Sequence, residues 1–160
     1  MQQLIIVLLA LMIWVSPGVS GAAPEKITDP QHPLARELTT IYKNYLAVAR
    51  QGNLTAILPY MTDDLVKRAP EVTTEMLRVM AATELDPRQA QFVQVDATPQ
   101  TARLVYQQLA LEAKVYQAII FKRERAAWKI AKVNSVGKYG SIKDDGLKEL
   151  LRDTNSYFTK

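Results

Sequence analysis

The sequence of 160 residues contains no cysteine, which excludes disulfide bonds, thiolate catalysis and zinc sites built on cysteine. Its single histidine, His32, precedes Pro33 at the predicted start of a helix and can supply at most one metal ligand. The six glycines are scattered and form no phosphate-binding loop. We therefore predict no metal site and no cofactor, and no motif assigns a catalytic residue.

No charged side chain occurs in the first 21 residues, and residues 4–15 form an unbroken apolar run of twelve. A membrane-spanning helix needs roughly 20 such residues, so this run is too short and has the length of a signal-peptide core. Ser16-Pro17-Gly18 ends the run and small residues follow, which predicts cleavage after Gly21 or Ala22. The protein is therefore expected to be exported, to a bacterial periplasm or the medium, with an uncleaved anchor as the alternative.

Positive charge is concentrated in the second half of the chain. Residues 22–100 carry eight Lys and Arg against ten Asp and Glu, whereas residues 101–160 carry twelve against six. A basic half can favour anionic partners such as lipid headgroups, acidic glycans or acidic proteins, although the interleaved acids favour a merely solvated surface. A peripheral contact with an anionic membrane and a homodimer both stay open. Nucleic acid is not an expected partner of an exported protein.

Helical periodicity occupies the first part of the mature chain. A long helix begins in "ITDPQHPL", either at Pro30 with Asp29 as its cap or at Pro33, and its apolar residues recur at three- and four-residue spacing as far as Ala49. Shorter helices are predicted in "LTAILPYM", "DDLVKRA" and "EVTTEMLRVMAATEL". The first half of the mature chain is therefore predicted to be helical.

The period changes to that of strands after Asp86. The segments "QAQFVQVDA", "VYQAIIFK" and "AAWKIAKVNSV" alternate or are rich in β-branched and aromatic residues. Residues 101–114 fit a strand and a helix equally well, and residues 141–160 are typical of an amphipathic terminal helix. Helices followed by a run of strands predict an α+β fold, with the N-terminal helices packed on an antiparallel sheet.

Two stretches resemble a known superfamily. The segment "LARELTTIYKNYLAVARQGNLTAILPYMTDDLVKRA" resembles the opening of nuclear transport factor two-like proteins, where a long helix ends in Gly-Asp or Gly-Asn and a short helix follows. The segment "IIFKRERAAWKIAKV" is similar to the final hairpin of that group. The resemblance, over roughly residues 33–136, implies a curved sheet wrapped on helices to form a cone with an apolar cavity. Members include isomerases, cyclases, dehydratases and non-enzymatic binding modules.

Tyrosines are the candidate ligand-binding residues, because a cone would place several hydroxyl groups in one apolar chamber, where each needs a hydrogen-bond partner. That partner can be a ligand, the backbone or water. The candidates are Tyr42, Tyr45, Tyr106 and Tyr116.

An enzymatic alternative uses an acid at the mouth of the cavity, as the resemblance to isomerases of the superfamily implies. Asp63 and Asp64 are the candidates for such a general base. Capping and the favourable helix dipole are the preferred explanation of their position at the start of a helix. Asp96 is not a candidate, because it alternates to the polar side of its strand.

The stretch "FKRERAAWKIAKV" is predicted to be a hairpin. A four-residue loop, Arg123–Ala126, is favoured over a two-residue Glu124-Arg125 turn, which would lack the Gly or Asn that such turns prefer. Alternation places Phe121 and Trp128 toward the core and returns Lys132 to the same side. The cations at and behind the tip form the candidate partner surface, namely Lys122, Arg123, Arg125 and Lys129.

These observations predict an exported, non-catalytic binding module for a small apolar ligand or a protein partner. An isomerase- or cyclase-type enzyme is one alternative, and an envelope inhibitor or accessory protein that uses the basic hairpin is another. The expected organisation is a signal peptide (1–21), a linker (22–32), an α+β domain (33–140) and a terminal helix (141–160).

Overall fold

The computed structural model describes residues 23–110, 113–137 and 145–159. The predicted signal peptide lies outside these ranges. Within them, no helix combines the length and the apolar character that crossing a membrane requires.

The described part of the chain contains five α-helices: α1 (Pro33–Ala49), α2 (Leu54–Ile57), α3 (Asp63–Arg68), α4 (Thr74–Thr83) and α5 (Asp145–Thr154). Helix α1 begins at Pro33 rather than Pro30, since Pro33 occupies the first helical position and the His32 ring nitrogen accepts a hydrogen bond from the Leu34 backbone N–H. After α1, Gly52 adopts a φ of 71°, and the Asn53 side chain caps α2. The predicted stop and cap at these two residues are confirmed.

One antiparallel sheet accounts for the strands of the described chain, in the order β1 (Glu25–Ile27), β2 (Gln91–Ala97), β3 (Thr101–Ala110), β4 (Ala113–Glu124) and β5 (Ala127–Gly137). The predicted α+β class is therefore confirmed. The ambiguous residues 101–110 form a strand, which pairs along its whole length with β4. Residues 25–27 of the expected linker form an edge strand, in which Ile27 pairs with Val95.

Helices cover both faces of this sheet. The inner face packs against α1 and α4, and the larger core cluster lies between them, with Tyr42, Leu104 and Phe121 fully buried. Helix α5 packs on the outer face, where a smaller cluster includes Val105 and Leu150. Each strand in the middle of the sheet is therefore buried on both sides.

Asp96 lies on this outer face, opposite to Val95, and is buried there. Helix α5 covers it, so that only 6% of Asp96 and 5% of Arg103 is exposed. The Arg103 guanidinium donates to Asp96 Oδ2 from Nε at 2.9 Å and from Nη2 at 2.7 Å. Its Nη1 donates to the Leu151 carbonyl and to Thr154 Oγ1. This buried ion pair attaches α5 to the sheet.

The hairpin between β4 and β5 is tighter than predicted. Its turn consists of Arg125 and Ala126 alone, with Glu124 opposite Ala127, and both turn residues adopt a positive φ, 50° and 67°. This is the geometry of a two-residue turn that matches the twist of the flanking strands, even though neither residue is Gly or Asn. The favoured four-residue loop is thus wrong, although Trp128 does face the core as expected.

Two β-bulges change the alternation of side chains in the sheet. In β2, Phe92 is opposite Tyr106 and Gln94 is opposite Val105, which leaves Val93 as an extra residue. In β5, Ala131 is the extra residue between Ile130 and Lys132. Each extra residue moves the following side chains to the other face. Consequently Val93 packs under α5, and Lys132 pairs with Ile120 in the ladder.

Candidate functional site

A carboxylate stands at the end of α4 and faces two tyrosines of α1. The helix ends at Thr83, so that Glu84 has an extended backbone and points its side chain back toward α1. The Tyr42 hydroxyl donates to Glu84 Oε2 at 3.0 Å, and the Tyr45 hydroxyl donates to Oε1 at 3.4 Å. Each oxygen of the carboxylate therefore has its own phenolic donor.

Gln117 on β4 completes this cluster from the sheet. Its side chain is fully buried, and its amide N–H donates to the Tyr42 hydroxyl oxygen. Its Oε1 accepts hydrogen bonds from the Leu85 backbone N–H at 2.9 Å and from Ser135 Oγ at 3.1 Å. The amide orientation is thus fixed by two donors, so that the hydroxyl proton of Tyr42 is directed to Glu84.

Burial dominates the electrostatics of the cluster. It raises the pKa of Glu84 from 4.5 to about 7, although hydrogen bonds from Tyr42 and Tyr45 and the charge of Arg50 oppose this rise. Burial and the neighbouring Glu84 carboxylate raise the pKa of both tyrosines well above the ordinary value of 10. Near neutral pH the tyrosines remain donors, while Glu84 exchanges between its neutral and ionised forms.

An open cavity of about 250 Å³ lies beside this carboxylate, between α3, α4 and β5. Apolar side chains form most of its wall, and the polar lining residues are Thr83, Glu84, Lys132 and Ser135. The residues that shape it include Tyr45, Met61, Leu65, Met80, Glu84, Ile130, Val133 and Ser135. The arrangement is a small, mainly apolar recess whose lining includes one acid, Glu84, and one base, Lys132.

Three of the four predicted tyrosines lie together, with the Tyr42 ring 6.1 Å from that of Tyr45 and 6.5 Å from that of Tyr106, but only two of them share a carboxylate. Tyr42 and Tyr45 share Glu84, whereas the Tyr106 hydroxyl lies 2.7 Å from Thr39 Oγ1, away from that carboxylate. Tyr116 lies on the outer face of the sheet, in the cluster beneath α5. Tyr116 therefore shares no chamber with the other three, because the sheet separates it from them.

The acids predicted at the cavity mouth face solvent. Asp63 is 3.5 Å from Arg125, and Asp64 is 3.7 Å from Lys67, in exposed ion pairs. The acid that meets the tyrosines is Glu84, which the sequence analysis missed. Its position at the end of an apolar helix, just before Pro87, is the one signal that marks it in the sequence.

The cations of the hairpin do not form one surface. The Arg123 guanidinium stacks over the Trp128 ring at 5.6 Å, and Lys129 donates to the carbonyl of Pro59. Lys122 lies opposite Lys129 in the ladder, and Arg125 occupies the turn. Since Trp128 is 7% exposed, its ring is unavailable for stacking with a nucleic-acid base, as predicted. A protein partner for these four cations stays a prediction.

Within the described ranges, no group of three or more His, Cys, Asp or Glu side chains could hold a metal ion. In comparisons with known proteins, no protein family matches this chain. No curated protein is detectably similar to it in sequence.

Proposed function

We propose that this protein is an exported, non-catalytic module that binds a small, mainly apolar ligand in the recess beside Glu84. One observation carries the proposal: a carboxyl group held by two tyrosine hydroxyls borders an apolar cavity of about 250 Å³. Ligand sites of this kind combine an apolar wall with a few polar groups that fix orientation. The cavity is smaller than the roughly 300–1,000 Å³ of typical sites for drug-sized molecules, so a smaller ligand is expected.

The hydrogen-bonding chemistry of Glu84 limits the chemical class of the expected ligand. An ionised Glu84 accepts hydrogen bonds and attracts a cation, whereas the neutral form can also donate one. Because its pKa is about 7, both forms are available near neutral pH. We expect a ligand with an apolar body and one hydroxyl, amide or amine group that reaches the carboxyl.

Export and a nuclear transport factor two-like cone belong to the same proposal. The apolar run at the N-terminus supports export, and the long helix followed by a hairpin-rich antiparallel sheet supports the cone. A fold alone does not determine a function, so the proposal of a ligand is based on the recess beside Glu84.

Native mass spectrometry of the protein purified from its own cell envelope tests the proposal. The wild type should carry a small molecule, and Met80→Asp, which places a charge in the apolar wall, should lose it. Asp64→Asn, on the exposed side of α3, is the matched control and should retain the ligand. A wild-type protein that is always free of ligand, or Met80→Asp that retains it, would count against a site in the recess.

A second candidate function is acid–base catalysis with Glu84 in place of the predicted Asp63 or Asp64. A carboxyl group with a pKa of about 7 beside tyrosine donors is suited to proton transfer. If the retained ligand has an acidic C–H group, the wild type should exchange that hydrogen in D₂O and Glu84→Gln should not. Equal exchange by both proteins would exclude this role for Glu84.

A further inference from the structure

Strand β5 forms one edge of the sheet, because β4 is its neighbour on one side and no strand of the described chain follows on the other. One point of this edge is occupied: Met61 forms a parallel bridge with Ile130, and the Thr62 backbone N–H donates to the Ile130 carbonyl at 3.0 Å. Helix α3 begins at Asp63 and ends this contact. Among the described residues, no other backbone group bonds to the outer edge of β5.

The ladder with β4 shows which groups the open edge presents. Opposite residues of an antiparallel ladder alternate between pairs that exchange backbone hydrogen bonds and pairs that do not. The outward carbonyl of Ile130 places its pair with Phe121 in the second kind. Counting along β4 in steps of two from Phe121, the pairs that contain Val133 and Ser135 are of the same kind. These two residues therefore direct their N–H and C=O groups away from the sheet, as a further strand requires.

Exposed apolar side chains of α4 lie beside this edge. Met80 lines the recess together with residues of β5, and Met76 and Val79 precede it on the same face of the helix. These three side chains are 49–56% exposed, and Leu109 is the one other large apolar residue of the described chain that is exposed. Grouped apolar side chains at the surface mark interaction sites, and methionine adapts its shape to a partner.

Lys132 gives the open edge a positive charge. It is exposed and lines the recess, and it forms no ion pair with the described residues. A lysine at a strand edge discourages pairing with unselected strands but favours a strand that carries an acid. Charge also disfavours a second copy of this chain as the partner. Residues 101–160 carry twelve Lys and Arg against six Asp and Glu, so pairing of β5 with itself would bring two basic halves together.

We propose that the open edge of β5 binds an extended, acidic peptide segment of another protein, which adds a strand to the sheet across the mouth of the recess. Its backbone would bond to Val133 and Ser135. Alternate side chains would pack on Met80, and the intervening acids would pair with Lys132. A small apolar ligand would cover the methionine but would leave the backbone groups of the edge to water, so we favour a peptide. This inference goes beyond the proposed function, since it depends on the strand edge and not on Glu84.

Fluorescence anisotropy with the labelled peptide acetyl-Thr-Val-Glu-Val-Glu-Val-Thr-amide tests this inference. The wild type should bind it, and should bind the same peptide with lysine in place of glutamate at least tenfold more weakly. Successive residues of a strand direct their backbone groups to opposite sides. N-methylation of the first two valines, or of the two glutamates, therefore blocks one side of the peptide only. One of these methylated peptides should lose at least tenfold in affinity and the other should not. No binding, or equal losses, would overturn strand addition.

Two variants at one position assign the site. Val133→Pro removes an N–H from the open edge without breaking a bond to β4, and should lower the affinity at least tenfold. Val133→Ala keeps that N–H and should bind within threefold of the wild type, with circular dichroism as the check on folding. Equal affinities of the two variants would exclude the edge of β5. Glu84→Gln should bind the peptide like the wild type, which separates this test from that of the recess.

Sedimentation velocity without peptide distinguishes a peptide from a second copy of this chain. The wild type should remain monomeric over the concentrations used in the titration. A wild-type dimer that Val133→Pro dissociates would overturn the peptide in favour of pairing between two β5 strands.

Discussion

Replacing Glu84 by Gln should change how the stability of the protein depends on pH. In the folded protein the pKa of Glu84 is raised from 4.5 to about 7, chiefly by burial. A raised pKa means that the folded state holds this proton more tightly than the unfolded chain does. The stabilisation that the proton brings is complete below pH 4.5 and is lost as the pH rises through 7.

The size of the change in unfolding free energy follows from the pKa shift of Glu84. Each pKa unit corresponds to about 1.4 kcal/mol, so the rise from 4.5 to about 7 predicts a loss of about 3 kcal/mol of unfolding free energy between acid and weakly basic pH. Glutamine has the shape of the neutral acid, and its carbonyl still accepts a bond from a tyrosine. Glu84→Gln should therefore lack this loss, and should be more stable than the wild type at pH 8.

Urea unfolding at pH 4.5, 6 and 8 measures this difference directly. The comparison between variant and wild type removes the contribution of other groups, including Asp86, whose lowered pKa acts in the opposite direction. The gap in unfolding free energy should widen by about 3 kcal/mol from pH 4.5 to pH 8. Parallel pH profiles for the two proteins would refute the buried, proton-binding role of Glu84.

Two further predictions concern stability alone. Arg103→Met should cost about 3–5 kcal/mol in urea unfolding because it leaves the buried Asp96 carboxylate without its cationic partner, and Asp96→Val in the same chain should recover much of that loss. A cost near zero would show that α5 does not depend on this ion pair. Ala126→Gly should raise the unfolding free energy by about 1 kcal/mol because it relieves a φ of 67°, whereas Ala127→Gly in the adjacent strand should lower it; equal effects would contradict the turn geometry.

Local patterns predicted the longer elements, which bury a regular face, but not the short strand β1. The apolar stripe of α1 includes Leu38, Tyr42 and Tyr45, which are buried as its spacing indicates. Residues 101–110 could not be assigned in the same way, since their apolar residues satisfy both periods. Pairing with β4 decides for a strand, and that pairing is a tertiary interaction that no local pattern contains.

The candidate site was harder to predict than the fold. Two adjacent acids at the start of a helix made Asp63 and Asp64 the predicted general bases. The first turn of a helix, however, is also where the helix dipole favours exposed acids. Glu84 contacts Tyr42 across 42 positions of sequence, and its burial arises from the way α4 packs on α1. A side chain whose environment comes from distant elements carries no local sign of its perturbed pKa.

The bulge at Ala131 shows why alternation alone could not place the remaining groups of the site. Trp128 and Ile130 face the helices, and strict alternation would put Lys132 and Asn134 on that side next. The extra residue instead turns Val133 and Ser135 inward, so that the Ser135 hydroxyl donates a hydrogen bond to Gln117. Lys132 pairs with Ile120 in the ladder. Gln117 in turn directs the Tyr42 hydroxyl toward Glu84. The arrangement of hydrogen bonds around Glu84 therefore depends on Ala131, a residue with no polar side-chain group. An alanine in a strand gives no sign of a bulge, so only the assembled ladder reveals it.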